Sequence, residues 1–260
     1  VDCLQQHHLS FNGWQEVALG HQKDTHAYLS QRAAGINSWK TVPEWKEDEI
    51  PYQIANNGYP VILCNVNNFY LDLAYDAHPD EPGHFWGGYV DESKAFSMLP
   101  FDVYRSSRTD MAGNPVEIGS AGKGKTTLTA SGRKQIKGVQ AQLFAETIRG
   151  FQWVEYYTFP KVMGLVERGW NAHPDWETLS GAAEQQTFDR DLYALRAFHE
   201  CGLISAGVMV TRSEKLNPVF DVVPQLNKAG RGSRQDRKSE IRCQHDMDGK
   251  AFVPAQRRPT

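Results

Sequence analysis

Cysteine is scarce: four in 260 residues, at positions 3, 64, 201 and 243. No two lie close enough to form a C-x-x-C metal clamp, and the spacing is too sparse for a disulfide framework, so free thiols are expected. Cys64 sits inside an apolar run and reads as a small buried hydrophobe. Long apolar runs are missing as well; none approaches the roughly 18 residues needed to span a bilayer. An excess of either charge is missing too. The formal net charge is −3, and that balance gives no reason to expect nucleic acid or an anionic membrane as the main partner. The histidines are scattered. His7 and His8 are adjacent, which on a strand would send them to opposite faces. No His-x-x-x-His with a supporting acid occurs, so no metal and no other cofactor is expected. No internal repeat is visible. Val1 to Ser10 lack the basic-then-apolar pattern of a secretion signal. Either the protein stays inside the cell or its true start lies upstream.

What is present is an apolar fraction of 40%, enough for one sizeable core or for one domain with a small appendage. Ala33 to Trp39 (AAGINSW), Pro60 to Val66 (PVILCNV) and Gly138 to Phe144 (GVQAQLF) read as short strands. Their apolar residues are continuous, not alternating, as in parallel strands covered on both faces. A fourth strand ends near Trp14, with most of it expected before the start of the chain. Between the strands fall helices. Pro51 to Asn57 begins with Pro, which suits a first helical turn, and stops before Gly58, which suits the left-handed position after the last. Val162, Met163, Leu165, Val166 and Trp170 recur at helical spacing after Pro160. Phe188 to His199 reads as another helix. The alternation implies an α/β fold with right-handed crossovers. A strand spacing of about 25 residues suits a (β/α)₈ barrel of the TIM type. Phe101 to Lys137 turns polar and glycine-rich and reads as a long loop. After Leu203 the pattern dissolves; in 227–260 basic residues outnumber acidic ones and apolar residues are few, which predicts a poorly packed tail.

Aromatic residues make up 11% of the chain, with seven Trp, several of them beside turns. Aromatic faces outside a core often stack on flat apolar ligand faces, including those of sugars. Gly58 to Asp91, GYPVILCNVNNFYLDLAYDAHPDEPGHFWGGYVD, resembles the seventh strand and following loop of glycoside hydrolase family 20, the chitobiases and β-N-acetylhexosaminidases. Gly138 to Arg149 (GVQAQLFAETIR) is similar to that family's eighth strand, and Tyr156 to Trp170 (YYTFPKVMGLVERGW) to the helix after it. FNGWQEVAL at 11–19 and NSWKTVPEW at 37–45 look like its fifth and sixth strand ends. The similarity runs from about 11 to 176. It implies the C-terminal half, strands five to eight, of a (β/α)₈ barrel over 1–200, with an irregular basic tail over 201–260.

A 2-acetamido sugar offers an amide, hydroxyls and one apolar ring face. Holding it takes aromatic walls, a donor for the amide oxygen and carboxylates for hydroxyls. Tyr70 and Asp72 are two apart at an expected strand end and so share a side. The resemblance implies that Tyr70 donates to the acetamido oxygen and that Asp72 and Glu146 accept from hydroxyls of the same ring. It implies that Trp14, Trp86 and residue 144 wall the pocket, and that Trp39 stacks on the next sugar. The family has Trp where this chain has Phe144, which keeps an apolar wall and loses the indole N–H. The implied partner is an N-acetylhexosamine-containing oligosaccharide, together with the N-terminal half of the barrel, and the implied location is periplasmic or secreted.

Family 20 chemistry is substrate-assisted and retaining. The acetamido oxygen attacks the anomeric carbon, a Glu protonates the leaving oxygen and a neighbouring Asp orients the acetamido group. That Asp-Glu pair belongs to the fourth strand, expected before residue 1. Asp48-Glu49, Asp80-Glu81 and Asp91-Glu92 do not follow an apolar strand, so no general acid is assigned within the chain. A catalytically inactive carbohydrate-binding fragment is therefore the first rival reading. A second rival is nucleotide binding, because Gly119 to Thr126 (GSAGKGKT) satisfies G-x-x-x-x-G-K-[ST]. A phosphate loop needs a buried strand before it and a helix after it. Neither is evident, so a flexible lysine-rich surface loop is expected there.

Overall fold

The computed structural model describes residues 1–205 together with 242–243 and 254–255. In chain order the elements are α1 (Asp2–Gln6), β1 (Phe11–Trp14), α2 (Lys23–Ser30), β2 (Ala33–Ser38), α3 (Ile50–Asn56), β3 (Val61–Leu63), α4 (Val66–Phe69), α5 (Glu92–Ser97), α6 (Ala130–Arg133), β4 (Ile136–Val139), α7 (Phe151–Thr158), α8 (Lys161–Trp170) and α9 (Gly181–Ser205). A two-residue antiparallel pair joins Arg242–Cys243 to Pro254–Ala255. No helix among the described residues is long and apolar enough to cross a membrane.

The four strands form one parallel sheet in the order β1-β2-β3-β4. Strand order follows chain order, so every crossover steps the same way along the sheet. This α/β arrangement is singly wound; a doubly wound sheet would reverse direction part-way. Ile36, Val61 and Leu63 are fully buried and share a core with Tyr52, Ile54, Tyr59, Phe69 and Met98. The expected burial on both faces is met only in part: Ile62 in the middle of β3 is half-buried, and β4, read from the sequence as starting at Gly138, begins at Ile136 and has no buried residue. Near its start, α3 carries Pro51, and it is followed by Gly58 at φ +87, the left-handed position anticipated for it. Helices α5 and α8 approach closely at Gly164. A Cβ there would stand 2.5 Å from the Phe96 backbone nitrogen and 2.7 Å from the Ala95 side chain, distances no side chain tolerates.

Several expectations need correction. The strand that ends at Trp14 begins at Phe11 and lies wholly inside the chain, behind α1. The stretch 156–170 holds two helices, because Pro160 has no N–H to continue the first. The last helix begins at Gly181, not Phe188, and passes residue 200 to end at Ser205. Helix α5 lies between Asp91 and Phe101, where the sequence reading assigned no element; Asp91 starts it by accepting from the Lys94 backbone N–H at 2.8 Å.

The region 101–137 is polar but tied down. Tyr104 is buried and donates to the Thr126 carbonyl at 2.5 Å, and Arg105 donates to the carbonyls of Glu177 and Leu179. Lys125 pairs with Asp48, and the Thr126 backbone N–H donates to Glu49 at 3.0 Å. The lysine and threonine of the phosphate-loop pattern are therefore already committed to carboxylates. Only a short 3-10 turn, Ser120–Gly122, stands within the pattern, and the nearest following helix, α6, has four residues. Neither the strand nor the helix that a phosphate cradle requires is there. The region is an anchored connection, not the free surface loop expected. The basic tail lies outside the described residues, apart from 201–205 and the short pair.

Candidate functional site at the carboxyl ends of the strands

The carboxyl ends of the strands are stitched together by side chains. Gln15, just after β1, accepts through its side-chain oxygen from the backbone N–H groups of Trp39 (2.9 Å) and Lys40 (3.2 Å) and from the Ser38 hydroxyl (3.1 Å). The end of the first strand thereby fixes the end of the second. The Trp39 indole N–H donates to Glu16 at 3.2 Å. On the other side, the Gln142 backbone N–H donates to the Phe69 carbonyl at 2.9 Å, and that of Leu71 donates to the Gln142 carbonyl at 2.8 Å. Pairing between the third and fourth strands so resumes beyond the α4 turn, and Tyr70 is bridged to Gln142.

That pairing brings four of the predicted site residues into one ring cluster. Trp39 is stacked on Tyr70 at 6.5 Å between centroids and 17° between planes. Trp86 meets Tyr70 edge-on at 5.7 Å and Trp39 at 6.2 Å. Phe144 lies 5.5 Å from Tyr70. Trp45, which the sequence reading passed over, stacks on Trp86 at 6.0 Å and 11° and meets Trp39 at 6.2 Å. Offset and edge-to-face geometries of this kind are the favourable ones for aromatic pairs. The cluster remains open to solvent: Trp86 is 42% and Phe144 38% exposed, whereas Tyr70 is buried.

Asp72 is buried on the same side as Tyr70, with the Phe144 backbone N–H donating to its carboxylate. Its Oδ1 has no hydrogen-bond partner among the described residues. Burial pushes its pKa up; the hydrogen bonds and Lys161 oppose that, and the Glu146 carboxylate adds to it. Glu146 itself is exposed, on the turn after Phe144. Tyr70 is likewise held as the neutral phenol, first by burial and then by the nearby Cys64, Asp72 and Glu16. Burial pushes the Cys64 thiol up to about 12, so it behaves as the inert small hydrophobe expected. Buried polar atoms without a partner recur at each strand's carboxyl side: the Gln15 amide nitrogen, the Asn37 oxygen, the Asn65 oxygen and the Gln142 amide nitrogen. Such atoms are costly in a native protein unless something satisfies them.

Trp14 takes no part in the ring cluster among the described residues. It closes β1 opposite Asn37, two residues before Trp39, and is 38% exposed. Tyr70 and Asp72 are not on a strand end as expected; a helical turn, α4, separates them from β3. They nevertheless face the same residue, Phe144.

The six carboxylates weighed as general acids are engaged elsewhere, except for Asp80. Asp48 pairs with Lys125 and Glu49 with Thr126. Glu81 accepts from the Tyr156 hydroxyl at 2.6 Å and the Tyr75 backbone N–H at 3.2 Å. Asp91 caps α5, and Glu92 pairs with Arg196 at 2.6 Å. Among the described residues no group of three or more His, Cys, Asp or Glu could hold a metal ion.

A family model described as "Glycosyl hydrolase family 20, catalytic domain" matches residues 1–173. The chain belongs to glycosyl hydrolase family 20. It is 30% identical over 171 residues to an N,N'-diacetylchitobiase of Vibrio harveyi, covering 65% of this chain and 18% of that protein. It is 34% identical over 126 residues to a beta-hexosaminidase of Vibrio vulnificus, covering 47% and 14%. The matched segment spans less than a fifth of either relative. Among solved structures, the family 20 exo beta-N-acetylglucosaminidase of Vibrio harveyi in complex with N-acetylglucosamine superposes with a TM-score of 0.51 at 24% identity, over 81% of this chain and 26% of that one. The family 20 beta-N-acetylhexosaminidase of Streptomyces coelicolor A3(2) gives 0.51 at 20%, over 83% and 35%. At these identities the likeness shows the fold alone. A second model, "Restriction endonuclease BglII/BglIII", matches 158–250. That is fewer than half the residues of the chain, and many of them lie outside those described.

Proposed function

We propose that this chain supplies the sugar-gripping wall of a β-N-acetylhexosaminidase-type glycosidase, as strands five to eight of a (β/α)₈ barrel. The observation that carries the proposal is the convergence of Trp39, Tyr70, Trp86 and Phe144 beside a buried Asp72 oxygen with no partner among the described residues. An amidated pyranose suits that arrangement. Its apolar face covers the half-exposed rings, and its hydroxyls satisfy Asp72 and, from the turn, Glu146. Tyr70, held neutral, donates to the acetamido oxygen. In a substrate-assisted retaining reaction that oxygen attacks the anomeric carbon, so a fixed donor aligns the nucleophile. The family membership and the names of the relatives support the same class of ligand. In this reading the Asp-Glu pair that protonates the leaving group comes from outside these residues. The barrel unit covers about 1–200, to the end region of α9, and the basic tail follows over 201–260.

Calorimetric titration of the full chain with N-acetylglucosamine tests the grip. Tyr70→Phe should weaken binding by ~1–3 kcal/mol, the cost of leaving a buried polar group unpaired. Equal affinity in both proteins would remove Tyr70 from the role. Turnover of a chromogenic N-acetylglucosaminide by this chain alone would overturn the absence of the acid.

The match over 158–250 favours a second reading for the carboxyl-terminal part, interaction with nucleic acid. If it holds, the chain binds duplex DNA with an affinity that falls steeply as salt rises. No binding at low salt would end that reading.

A further inference from the structure

Lysine is almost never fully buried, yet Lys161 at the start of α8 is completely enclosed. Its ammonium donates to the Leu71 carbonyl at 2.8 Å and the Leu73 carbonyl at 2.6 Å, the carbonyls of the two residues on either side of Asp72. The same nitrogen lies 3.8 Å from the centre of the Tyr75 ring and 5.7 Å from that of Tyr157. The carboxylates that bear on it are Glu81, Asp91, Asp72 and Glu92. None of these is its direct ion-pair partner; its short contacts are to backbone carbonyls. Gly83, at φ +110, also lies against the same segment. A Cβ there would come within 2.8 Å of the Asp72 carbonyl oxygen and 2.9 Å of the Ala74 nitrogen. The Ala74 backbone N–H donates to the His84 carbonyl at 2.8 Å, closing the clasp.

We infer that Lys161 is a positioning residue: its ammonium clamps the backbone on both sides of Asp72 and so aims Asp72 and Tyr70 at the ligand. A side chain that served packing alone would be apolar at such a site, since burying an ammonium costs several kcal/mol. The bonds it makes are charge-assisted and roughly twice as strong as neutral ones. They act on the segment that presents the two polar contacts, not on the ring cluster. The inference rests on reading Tyr70 and Asp72 as sugar contacts.

The test uses the full chain with Lys161→Met and Lys161→Arg. In Lys161→Met, amides of 71–74 should exchange with deuterium at least tenfold faster than in the wild type, with β2 unchanged, and N-acetylglucosamine affinity should fall at least tenfold. Lys161→Arg, which keeps a donating cation, should return affinity to within about threefold. Wild-type affinity should also weaken as pH rises through about 7, where burial makes the amine give up its proton. The arginine variant should be flat over that range, a difference that a purely structural role does not produce. If Lys161→Met does not fold, the pH course of wild type against Lys161→Arg decides. Unchanged exchange at 71–74, or the same pH course in both proteins, overturns the clamp. If the wild type binds no sugar while exchange at 71–74 responds as expected, the clamp stands and the sugar reading fails.

Discussion

Two clusters of aromatic residues and charge in this molecule are put to different use. In one, Trp176, Phe96 and Phe188 are buried together, with Arg108 3.7 Å over the Phe188 ring and Arg168 4.8 Å over that of Phe96. Arg108 is also paired with Glu184 at 2.9 Å. This cluster joins α5 to α9, and its rings have no free face. At the carboxyl ends of the strands, Trp39, Trp45, Trp86 and Phe144 use the same residue types but leave faces open, beside polar atoms that lack partners. Composition alone does not tell the two apart. Exposure does: Trp176, Phe96 and Phe188 are enclosed, whereas Trp86 and Phe144 keep a solvent-facing side.

The sharpest way to break this comparison is the same substitution in each cluster. Trp176→Ala should lower unfolding free energy by ~3–5 kcal/mol, read by urea denaturation, through the cavity it leaves. Trp86→Ala should cost about 1 kcal/mol of stability while weakening N-acetylglucosamine binding by ~1–2 kcal/mol, from the lost stacking face. Similar stability losses at both positions would mean the strand-end cluster is ordinary core.

Next in size is an effect of pH. Burial lowers the Lys161 pKa to about 7, while the unfolded chain keeps its proton up to the usual lysine range. Between those values the unfolded chain holds more protons, so this group makes stability rise with pH, by up to about 1.4 kcal/mol per pH unit. Lys161→Met should remove that slope from a series of denaturation curves above pH 7. The smallest effect belongs to Asp72. Its raised pKa means that the folded state takes up a proton first, so its contribution to stability falls as pH climbs out of the usual carboxylate range. Asp72→Asn should relieve this, stabilising the fold at neutral pH by under ~1 kcal/mol and so raising the melting temperature slightly, while reducing sugar affinity. A drop in both would assign Asp72 to the scaffold.

The strands were legible where apolar residues run on without a break, as in Val61–Leu63. β1 was harder to read: Phe11–Trp14 contains Asn12 and Gly13, so only its end drew notice. Helix α5 escaped because Glu92–Ser97 is a six-residue turn set by the Asp91 cap, too short to show a period. Tyr70, Asp72, Trp39, Trp86 and Phe144, which lie together in the fold, were singled out through motif resemblance, which carries spatial information that periodicity lacks. Trp45 was missed because its partner, Trp86, is distant in sequence. Lys161 was invisible for the opposite reason: a lysine early in a helix reads as a solvated charge, and only the fold reveals the carbonyls it grips. The Gly119–Thr126 pattern shows the converse, a full match whose lysine is already spoken for by Asp48.

Parallel pairing in a single winding direction has a consequence for handling the protein. As described, β1 and β4 each pair on one side only, so two rows of backbone donors and acceptors border the sheet. Rows of that kind recruit any compatible strand, from a neighbouring polypeptide or from another molecule of the same species. The apparent molar mass from light scattering should therefore climb with protein concentration. Stretches able to complete the sheet, added in trans, should suppress that association by taking the same places.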